Sequence, residues 1–382
     1  MATQENLPSV TSPSLILTNP TTSERERVWK STHLQWGAAL KLEDYIAREY
    51  NNINAPLGRN GGVTSWILTD GNLKPDERPI LSCCETYKKR ALVSDTDDNG
   101  KVRDGTAHGV ASVFTSPEYR KRGYGKKMMS LLADEFRSRQ EKNKGDADFS
   151  VLWSDVGPDF YGGIGWKAFR STHLEFPVKD TLPPADPAVK PLTLDDILEL
   201  TARDEEIIRN KVASSTSAAS AAIIPDKETI GWHMSRVDFM CNRIFSRTPT
   251  IRGVLYTPPG APNSRIWASW TCSFYGGVDE PSKNIVRILR LTIEDESISD
   301  EALAKGIEAI SGFAQKEAKE WLCSKVELWN PEERIKRVTE SIQSLGVKFV
   351  VKDYEHLASL NWFGKDHNQE VDWIANERFG WC

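Results

Sequence analysis

The stretch that most constrains this chain is a basic, glycine-containing loop, SPEYRKRGYGKK, at residues 116–127. It joins a strand-like run, Val110 to Thr115, to a helix-like run, Met128 to Arg139. A strand that turns through two glycines into a helix leaves several backbone N–H groups unpaired at the positive end of the helix dipole. Such a turn binds anions, and its glycines let a ligand approach the backbone closely. The loop therefore predicts a site for a phosphorylated ligand.

Cations in this loop suit a ligand that carries more than one phosphate. They are Arg120, Lys121, Arg122 and Lys126. A solvated helix start is the alternative interpretation, but Gly123 and Gly125 favour phosphate contact for the segment that also contains Tyr124. We predict that this segment binds a pyrophosphate.

Composition bounds the class of protein. The chain has 382 residues, of which 39% are hydrophobic and 27% charged, so we expect a soluble globular protein of two domains. A net charge of −5 argues against a nucleic-acid-binding surface. The scattered cysteines predict reduced thiols, and the polar N-terminus lacks the pattern of a signal peptide. No apolar run is long enough to span a membrane, so we expect a cytoplasmic protein without a membrane partner.

Element order divides the chain into two similar halves. We predict a flexible N-terminus at 1–14, a first α/β unit at 15–176 that closes on a strand from Lys167 to Phe176, a proline-rich linker at 177–191 and a second unit at 192–382. Ser214 to Ala222 is expected to be a loop or a weak helix. The turn Asp295 to Asp300 in the second unit occupies the place of the glycine loop, but it is acidic and has no glycine. The second unit is therefore expected to lack a phosphate site.

Several of these features resemble one family. The strand Gly109–Thr115, the R-x-x-G-x-G spacing from Arg120 to Gly125 and the following helix resemble motif A of the GNAT superfamily of acetyl-CoA-dependent N-acetyltransferases. Phe160-Tyr161 followed by Gly165-Trp166 is similar to a later motif of that family. The resemblance covers about Leu15 to Phe176. The tandem layout is similar to Eis-type enzymes, and the narrower resemblance is to fungal lysine N-acetyltransferases of lysine catabolism, through residues 112–115, the glycine loop and the tail 376–382.

The resemblance implies both a fold and a function. The fold is α+β, with tandem GNAT-like mixed β-sheets flanked by helices and a degenerate second copy. The first unit would bind acetyl-CoA as co-substrate and transfer the acetyl group directly, in a ternary complex, to a small primary amine, the ε-amine of free L-lysine in the narrow interpretation. Two alternatives are an acetyltransferase for another amine, such as a polyamine, a xenobiotic or a protein lysine, and a non-catalytic acyl-CoA-binding module.

The resemblance also assigns roles to residues. The backbone of Val113 and Phe114, with Thr115 beside them, corresponds to the strand that binds the thioester carbonyl and pantetheine in the family. Tyr161 matches the tyrosine that protonates the departing thiolate, and a phenol keeps its proton at neutral pH. The alternative for Tyr161 is a core tyrosine with a satisfied hydroxyl.

The general base stays open among three candidates. His108 begins the strand that carries the thioester contact, and a histidine titrates in the useful range, although it is equally a capping or surface residue. Glu85 ends a neighbouring strand and could act through water, bind the ammonium or be a solvated carboxylate. The terminal carboxylate of Cys382 is the third candidate, because an aromatic-rich tail is unusual for a fraying terminus; completing the second unit's sheet is its alternative role.

The acceptor site has weaker signals. Glu43, Asp44 and Glu49 lie on an early helix and could hold a cationic amine, or they could form a solvated helix face. The six histidines show no ligand spacing, so no metal site is predicted. Oligomeric state is not predicted.

Overall fold

The structure, a computed structural model, describes residues 7–37, 39–96, 100–179, 186–367 and 369–382. The first half of the chain alternates strands and helices around a long hairpin. Its elements are β1 (Leu15–Thr18), α1 (Thr22–Trp36), α2 (Leu42–Asn54), β2 (Val63–Asp70), β3 (Ser82–Asp95), β4 (Arg103–Phe114), α3 (Tyr124–Lys142), β5 (Phe149–Ser154), α4 (Asp159–Gly162), β6 (Lys167–Ala168) and β7 (Ser171–Pro177).

The second half follows a similar order and ends in a short irregular tail. Its elements are β8 (Val189–Leu192), α5 (Leu194–Ser214), β9 (Ala219–Ile223), α6 (Lys227–Phe245), β10 (Gly253–Tyr256), β11 (Ile266–Ser273), β12 (Ile285–Ile293), α7 (Asp300–Glu320), β13 (Lys325–Trp329), α8 (Glu333–Ser341), β14 (Lys348–Lys352), β15 (Leu357–Trp362) and β16 (Val371–Trp373).

Two mixed sheets flanked by helices confirm the predicted α+β fold class. The first sheet has the order β1-β2-β3-β4-β5-β15-β6, with β9 and β16 attached beyond β3, and the second has the order β14-β7-β13-β12-β11-β10-β8. Each sheet contains one parallel pair joined through a helix, β4 with β5 and β12 with β13. The two sheets are thus built on the same central unit.

The two halves exchange strands, which corrects one prediction. The strand predicted to close the first unit, now β7, lies in the second sheet between β13 and β14. In the first sheet the place beside β5 belongs to β15, from near the end of the chain. Strand patterning specifies an extended segment but not its partner, so the boundary at residue 176 divides the chain and not the sheets.

A second correction concerns the Ser/Ala-rich segment. Residues 219–223 form the strand β9, not a loop or weak helix, and pair with the far half of β3 and with β16. All five residues of β9 are buried. Small side chains fit where two layers approach closely, and this tertiary context overrides their weak β propensity.

The N-terminus and the proline-rich linker were both predicted to be irregular, but their described residues make defined contacts. Residues 1–6 and 180–185 lie outside the described residues. Leu7 packs against the core around α3, and the Pro8 carbonyl accepts a hydrogen bond of 2.7 Å from the Tyr124 hydroxyl, so residues 7–14 are held by the fold. The end of the linker forms β8 at a sheet edge, where the missing N–H of Pro191 is tolerated.

The helices cover opposite faces of the first sheet. α3 lies on one face, where Phe136 stacks on His108 with ring centroids 4.5 Å apart. α2 and α6 lie on the other, joined by a hydrogen bond of 3.2 Å from the Trp232 indole to the Asn52 carbonyl. In the described part of the chain, no helix has the length and apolarity needed to cross a membrane.

Candidate active site

A bulge interrupts β4 at its carboxyl end. Cys83 pairs with Phe114 and Glu85 pairs with Ala111, so two residues of β4 lie opposite Cys84 alone. Ser112, within the bulge, has a φ of 55°, which is uncommon for a side-chain-bearing residue. A bulge turns backbone groups away from the regular ladder, and such strained positions concentrate at functional sites.

Beyond Gly109 a slot opens between β4 and β5. The two parallel strands pair from Ala107 opposite Phe149 to Gly109 opposite Val151. β4 then continues to Phe114 without a β5 partner in the described residues. Val113 and Phe114 therefore lie beyond the last residue of β4 that pairs with β5, and their role in binding pantetheine stays a prediction.

The glycine loop lies at the end of this slot. Gly123 is the N-cap of α3 with a φ of 82°, a left-handed conformation that glycine adopts without strain. The first N–H groups of α3 have no partner within the helix. A β-carbon on Gly125 would lie 3.2 Å from Thr115 Oγ1 and 3.8 Å from Phe160 Cζ, so glycine keeps this cradle open. These residues fit the phosphate-bearing ligand that the loop predicts.

The side chains of the predicted cofactor residues differ in their surroundings. Arg120, Lys121, Arg122 and Lys126 are exposed. The Arg120 Nε donates a hydrogen bond of 3.0 Å to the Thr115 carbonyl, which fixes the start of the loop. Tyr124 is buried against the N-terminal segment, so its side chain has a structural role.

Tyr161 is buried on α4, near the glycine loop. Its ring packs edge-to-face on Phe160, with centroids 4.8 Å apart, and Phe160 in turn approaches Gly125. Burial raises the pKa of the Tyr161 phenol well above its usual value, and the neighbouring Cys84 and Asp155 raise it further. Tyr161 therefore keeps its proton at neutral pH and can act only as a donor.

His108 and Glu85, two of the base candidates, lie on opposite faces of the sheet. Side chains alternate along a strand, and His108 points towards α3 while Glu85 points towards α1 and α2. A nitrogen of His108 lies 3.0 Å from the Asp146 carbonyl, and burial lowers its pKa to about 4. This geometry is that of a core histidine.

Glu85 is buried beside a small cavity and has the properties of a general base. The Ser112 hydroxyl in the bulge lies 3.5 Å from its Oε2. Burial, together with the nearby Glu49 carboxylate, raises the pKa of Glu85 to about 7. A carboxyl with a pKa near neutrality exchanges protons readily under physiological conditions.

The cavity beside Glu85 lies between the first two helices and the sheet. Its volume is about 20 Å³, enough for a water molecule. Trp29, Thr32 and Tyr45 line it, and the Thr32 hydroxyl lies 2.9 Å from that of Tyr45. Glu49, one of three acidic candidates on α2, is buried here and is bonded to Arg48.

The other two acidic candidates do not join this cavity. Glu43 is exposed, and Asp44 pairs with Arg243 of α6 at 3.4 Å. Helical spacing could not distinguish the three, since the direction of the buried face depends on where α1 and α6 pack. The sequence also did not single out Ser112 or Trp29, because neither a bulge nor a lining residue has a local signature.

The tail reaches the Glu85 face of the first sheet. A β-carbon on Gly109 would meet the Cys382 thiol sulfur at 2.4 Å. The buried Lys89 ammonium donates to the Gly380 and Trp381 carbonyls at 2.9 and 3.0 Å, and His233 contacts the Phe379 carbonyl at 2.9 Å. The expected role of the tail in the second sheet is wrong: β16 joins the first sheet, through β9.

One group of metal-compatible side chains appears that sequence spacing did not reveal. His173, Glu175 and Glu327 have ligand atoms within 4.8 Å of one another. They come from β7 and β13, which pair only in the folded chain. The Lys325 ammonium lies 2.5 Å from Glu175 and 3.1 Å from Glu327, so a protein cation already satisfies both carboxylates.

Comparisons with known proteins agree with the fold. The Acetyltransferase (GNAT) family model matches residues 69–144, which include β3, β4, the glycine loop and α3. The chain is a GNAT acetyltransferase, an enzyme of a class that uses acetyl-CoA as co-substrate. It belongs to the family described as "LYC1 GNAT-like C-terminal domain", whose model matches residues 173–382, more than half of the chain.

Two curated relatives share part of the sequence. A protein of Yarrowia lipolytica (strain CLIB 122 / E 150) named "Lysine acetyltransferase" is 24% identical over 280 residues, which cover 63% of this chain and 67% of the relative. "Uncharacterized protein YGR111W" of Saccharomyces cerevisiae (strain ATCC 204508 / S288c) is 24% identical over 169 residues, or 36% of this chain and 41% of that protein.

Solved structures share the fold at low identity. A probable N-acyltransferase from Enterococcus faecalis V583 has a TM-score of 0.52 and 12% identity, over 91% of this chain and 73% of that chain. A GCN5-related N-acetyltransferase from Anabaena variabilis ATCC 29413 has a TM-score of 0.50 and 12% identity, over 92% and 73%.

Proposed function

We propose that this enzyme transfers an acetyl group from acetyl-CoA to the ε-amine of free L-lysine. The observation that carries the proposal is the meeting of two features at the β4 bulge: the open slot on one side and the Glu85 cavity on the other. A relative named lysine acetyltransferase supports lysine as the acceptor and a role in lysine catabolism.

Glu85 is proposed as the base. An alkylammonium has a pKa of about 10.4 and must lose a proton before it can attack. Glu85, with a pKa raised to about 7, accepts this proton directly or through a water in the cavity. The Glu49 carboxylate beside it favours the approach of a cationic amine.

The backbone of β4 and Tyr161 are proposed to serve the other partner. When bound, acetyl-CoA supplies the thioester that the amine attacks. Backbone N–H groups at the bulge are proposed to hold a developing oxyanion, because donors fixed by a strand are preorganised. Tyr161 holds a proton at its hydroxyl for the departing sulfur.

Direct transfer is favoured over a relay through a cysteine. A nucleophilic cysteine needs a depressed pKa, since the thiolate is the reactive form. Burial raises the pKa of Cys83 to about 12 and that of Cys84 well above its usual value. Burial raises the pKa of the Cys382 thiol as well. These thiols therefore stay protonated, which supports a ternary complex.

The two halves of the chain are proposed to have different roles. Residues 15–176 would carry the acetyl-CoA site, and residues 192–382 would shape the acceptor cleft. The Cys382 terminus stays a second candidate base because it lies on the Glu85 face, whereas His108 is not proposed. The six free cysteines support a cytoplasmic location.

A panel of amines tests the function. Purified enzyme with acetyl-CoA would be mixed with lysine, ornithine, spermidine or a lysine-containing peptide, and thiol release would be followed. We expect turnover with lysine above that with the other amines. A preference for spermidine or the peptide would assign another acceptor. Binding of acetyl-CoA without turnover of any amine would identify a non-catalytic acyl-CoA-binding protein instead.

A further inference from the structure

Three arginines from separate parts of the chain converge on one tyrosine. Arg236 lies on α6, Arg287 on β12 and Arg378 in the tail. Each of the three lowers the pKa of the Tyr275 phenol, with Arg287 having the largest effect. The Arg287 guanidinium carbon is 5.7 Å from the Tyr275 ring centre, and Tyr275 itself is 53% exposed. The cluster is therefore next to solvent.

These guanidinium groups lack adequate anionic partners. The Arg287 side chain is 4% exposed, yet its Nε and Nη1 have no hydrogen-bond partner, and its nearest carboxylate, Glu327, is 3.8 Å away. The Arg378 Nη1 is likewise buried without a partner. Among the described residues, neither Arg236 nor Arg378 has a carboxylate within ion-pair distance. The Arg236 guanidinium carbon lies 5.8 Å from the ring centre of Trp232, and that of Arg378 lies 3.6 Å from the ring centre of Trp381.

Without a bound anion, this arrangement lowers the stability of the folded protein. Burial lowers the pKa of Arg378 well below its usual range, and the charges of Arg287 and Arg236 lower it further. Buried charges and donors without partners destabilise a folded protein, and an added carboxylate would relieve both penalties. A guanidinium fork matches a carboxylate with two parallel hydrogen bonds.

The Arg236 end of the cluster lies close to α2, which carries Glu49 of the cavity wall. The Asn51 amide on α2 donates to the carbonyl and the hydroxyl of Ser235, next to Arg236, at 3.4 and 3.2 Å. The charges that act on Arg236 include those of Arg48 and Glu49 on α2, and Glu49 in turn acts on Glu85. Arg236, Arg378 and Glu85 all act on the Cys382 thiol. One end of this region therefore carries the carboxyl groups of Glu85 and Glu49, with Arg25 and Arg48 beside them, and the other end carries the three arginines.

We propose that Arg236, Arg287 and Arg378 form a carboxylate-binding pole of the acceptor site, which selects an amino acid over an amine without a carboxylate. The inference rests on the proposed function and specifies its substrate class. The amine end of the acceptor faces Glu85, and the carboxylate end faces the arginines. The glycine loop is a separate anion site, on the α3 side of the molecule.

The test compares three acceptors of similar length. All three compounds have a terminal primary amine. Lysine also has an α-amine and a carboxylate, 6-aminohexanoate has the carboxylate without the α-amine, and cadaverine has a second amine without a carboxylate. For the wild-type enzyme we expect kcat/KM for lysine and 6-aminohexanoate to exceed that for cadaverine. Arg236→Gln should lower kcat/KM for the two carboxylates by about tenfold or more, mainly through KM, and leave cadaverine unchanged. Arg236→Lys should retain part of the preference.

Controls separate this role from folding and from the cofactor. Arg243→Gln removes another α6 arginine, one that pairs with Asp44, and should leave all three acceptors unchanged. Arg378→Gln, a change in the tail, should likewise lower kcat/KM for the two carboxylates and not for cadaverine. Its melting temperature shows whether the variant is folded. Equal losses for cadaverine and lysine, or weaker acetyl-CoA binding by Arg236→Gln, would overturn the inference while the proposed function stands. Failure of the wild-type enzyme to acetylate any amine would overturn both.

Discussion

The two halves contain the same splayed pair of parallel strands, but only one leaves the slot open. In the first half, β4 and β5 part after Gly109, and the slot ends at the glycine loop. In the second, β12 and β13 pair up to Ile288 opposite Leu328 and then part. The turn that follows β12 is acidic, and α7 begins with Asp300 and Glu301. Negative side chains there replace a bound anion as partners of the helix N-terminus.

The chain itself supplies contacts at the second slot. The Leu291 N–H donates to the Glu377 carboxylate at 3.1 Å, and the Asn330 amide donates to the Asn376 carbonyl at 2.8 Å. Arg290 joins Glu377 to Asp204 in a buried network. Splayed strands thus need partners for their backbone groups in either half. The first slot is therefore the one proposed to bind the cofactor, because it combines the splay with glycines and with a helix start that has no acidic residue in its first turn.

The largest expected effect comes from filling the first slot. Gly125→Glu adds a side chain where a β-carbon already lies 3.2 Å from Thr115 Oγ1, and it adds negative charge at the α3 N-terminus. We expect acetyl-CoA binding to be lost in calorimetry, with the fold retained. Lys305→Gln, which lowers the net charge by the same one unit near the start of α7, should have no effect. Tight binding by Gly125→Glu would remove the glycine loop from the cofactor site.

The second-largest effect is expected from replacing Glu85, the proposed base. Glu85→Gln should lower kcat by about 10²–10³-fold with little change in acetyl-CoA affinity. Wild-type kcat should rise as pH increases through about 7, where Glu85 loses its proton, and the variant should lack this step. Glu43→Gln, at an exposed position on α2, is the matched control. An unchanged pH profile in Glu85→Gln would leave the terminus of Cys382 as the base.

The same carboxyl links folding to pH. Its pKa is 4.5 in the unfolded reference and about 7 in the folded protein, so the folded state holds the proton more tightly. This contribution to stability is fully present below pH 4.5 and is lost as pH rises through about 7. Glu85→Gln should therefore be more stable than the wild type above that pH, as urea unfolding at several pH values would measure.

A smaller loss is expected from the proton donor. Tyr161→Phe keeps the ring packing on Phe160 but removes the hydroxyl, so kcat should fall about tenfold while acetyl-CoA affinity stays the same. The helix in the corresponding place of the second half, α8, contains no tyrosine. Tyr354→Phe, at an exposed site, is the control, and equal kcat in Tyr161→Phe and the wild type would exclude this role.

The smallest effect on activity should come from the second slot. Glu377→Gln removes a charge from the network with Arg290 and Asp204, and should reduce unfolding free energy by about 1–3 kcal/mol. Because the turn after β12 remains acidic, acetyl-CoA should still bind once per chain. Glu370→Gln, nearby and exposed, should unfold like the wild type. A second equivalent of bound acetyl-CoA in Glu377→Gln would show that the tail alone closes this slot.

Local patterns predicted the parts of the site that depend on backbone conformation. The glycine loop lies between β4 and α3, as its spacing indicates, because a left-handed Gly123 and an open Gly125 are encoded in adjacent residues. The paired order of strands and helices likewise predicted the α+β class. The sequence could not predict that β7 and β15 exchange sheets, since a strand pattern carries no information about its partner.

Charge properties depended on the folded chain. The sequence left Glu85, His108 and Cys382 as open candidates for the base, and packing separated His108, which lies on the α3 face, from the other two. Glu49 approaches Glu85 because α2 packs on β3, and the three arginines meet because a helix, a strand and the tail converge. The sequence by itself determined which backbone turn can hold a phosphate. Tertiary structure decided which acid is buried and which cations lack partners, because burial and long-range proximity arise only when distant segments pack together.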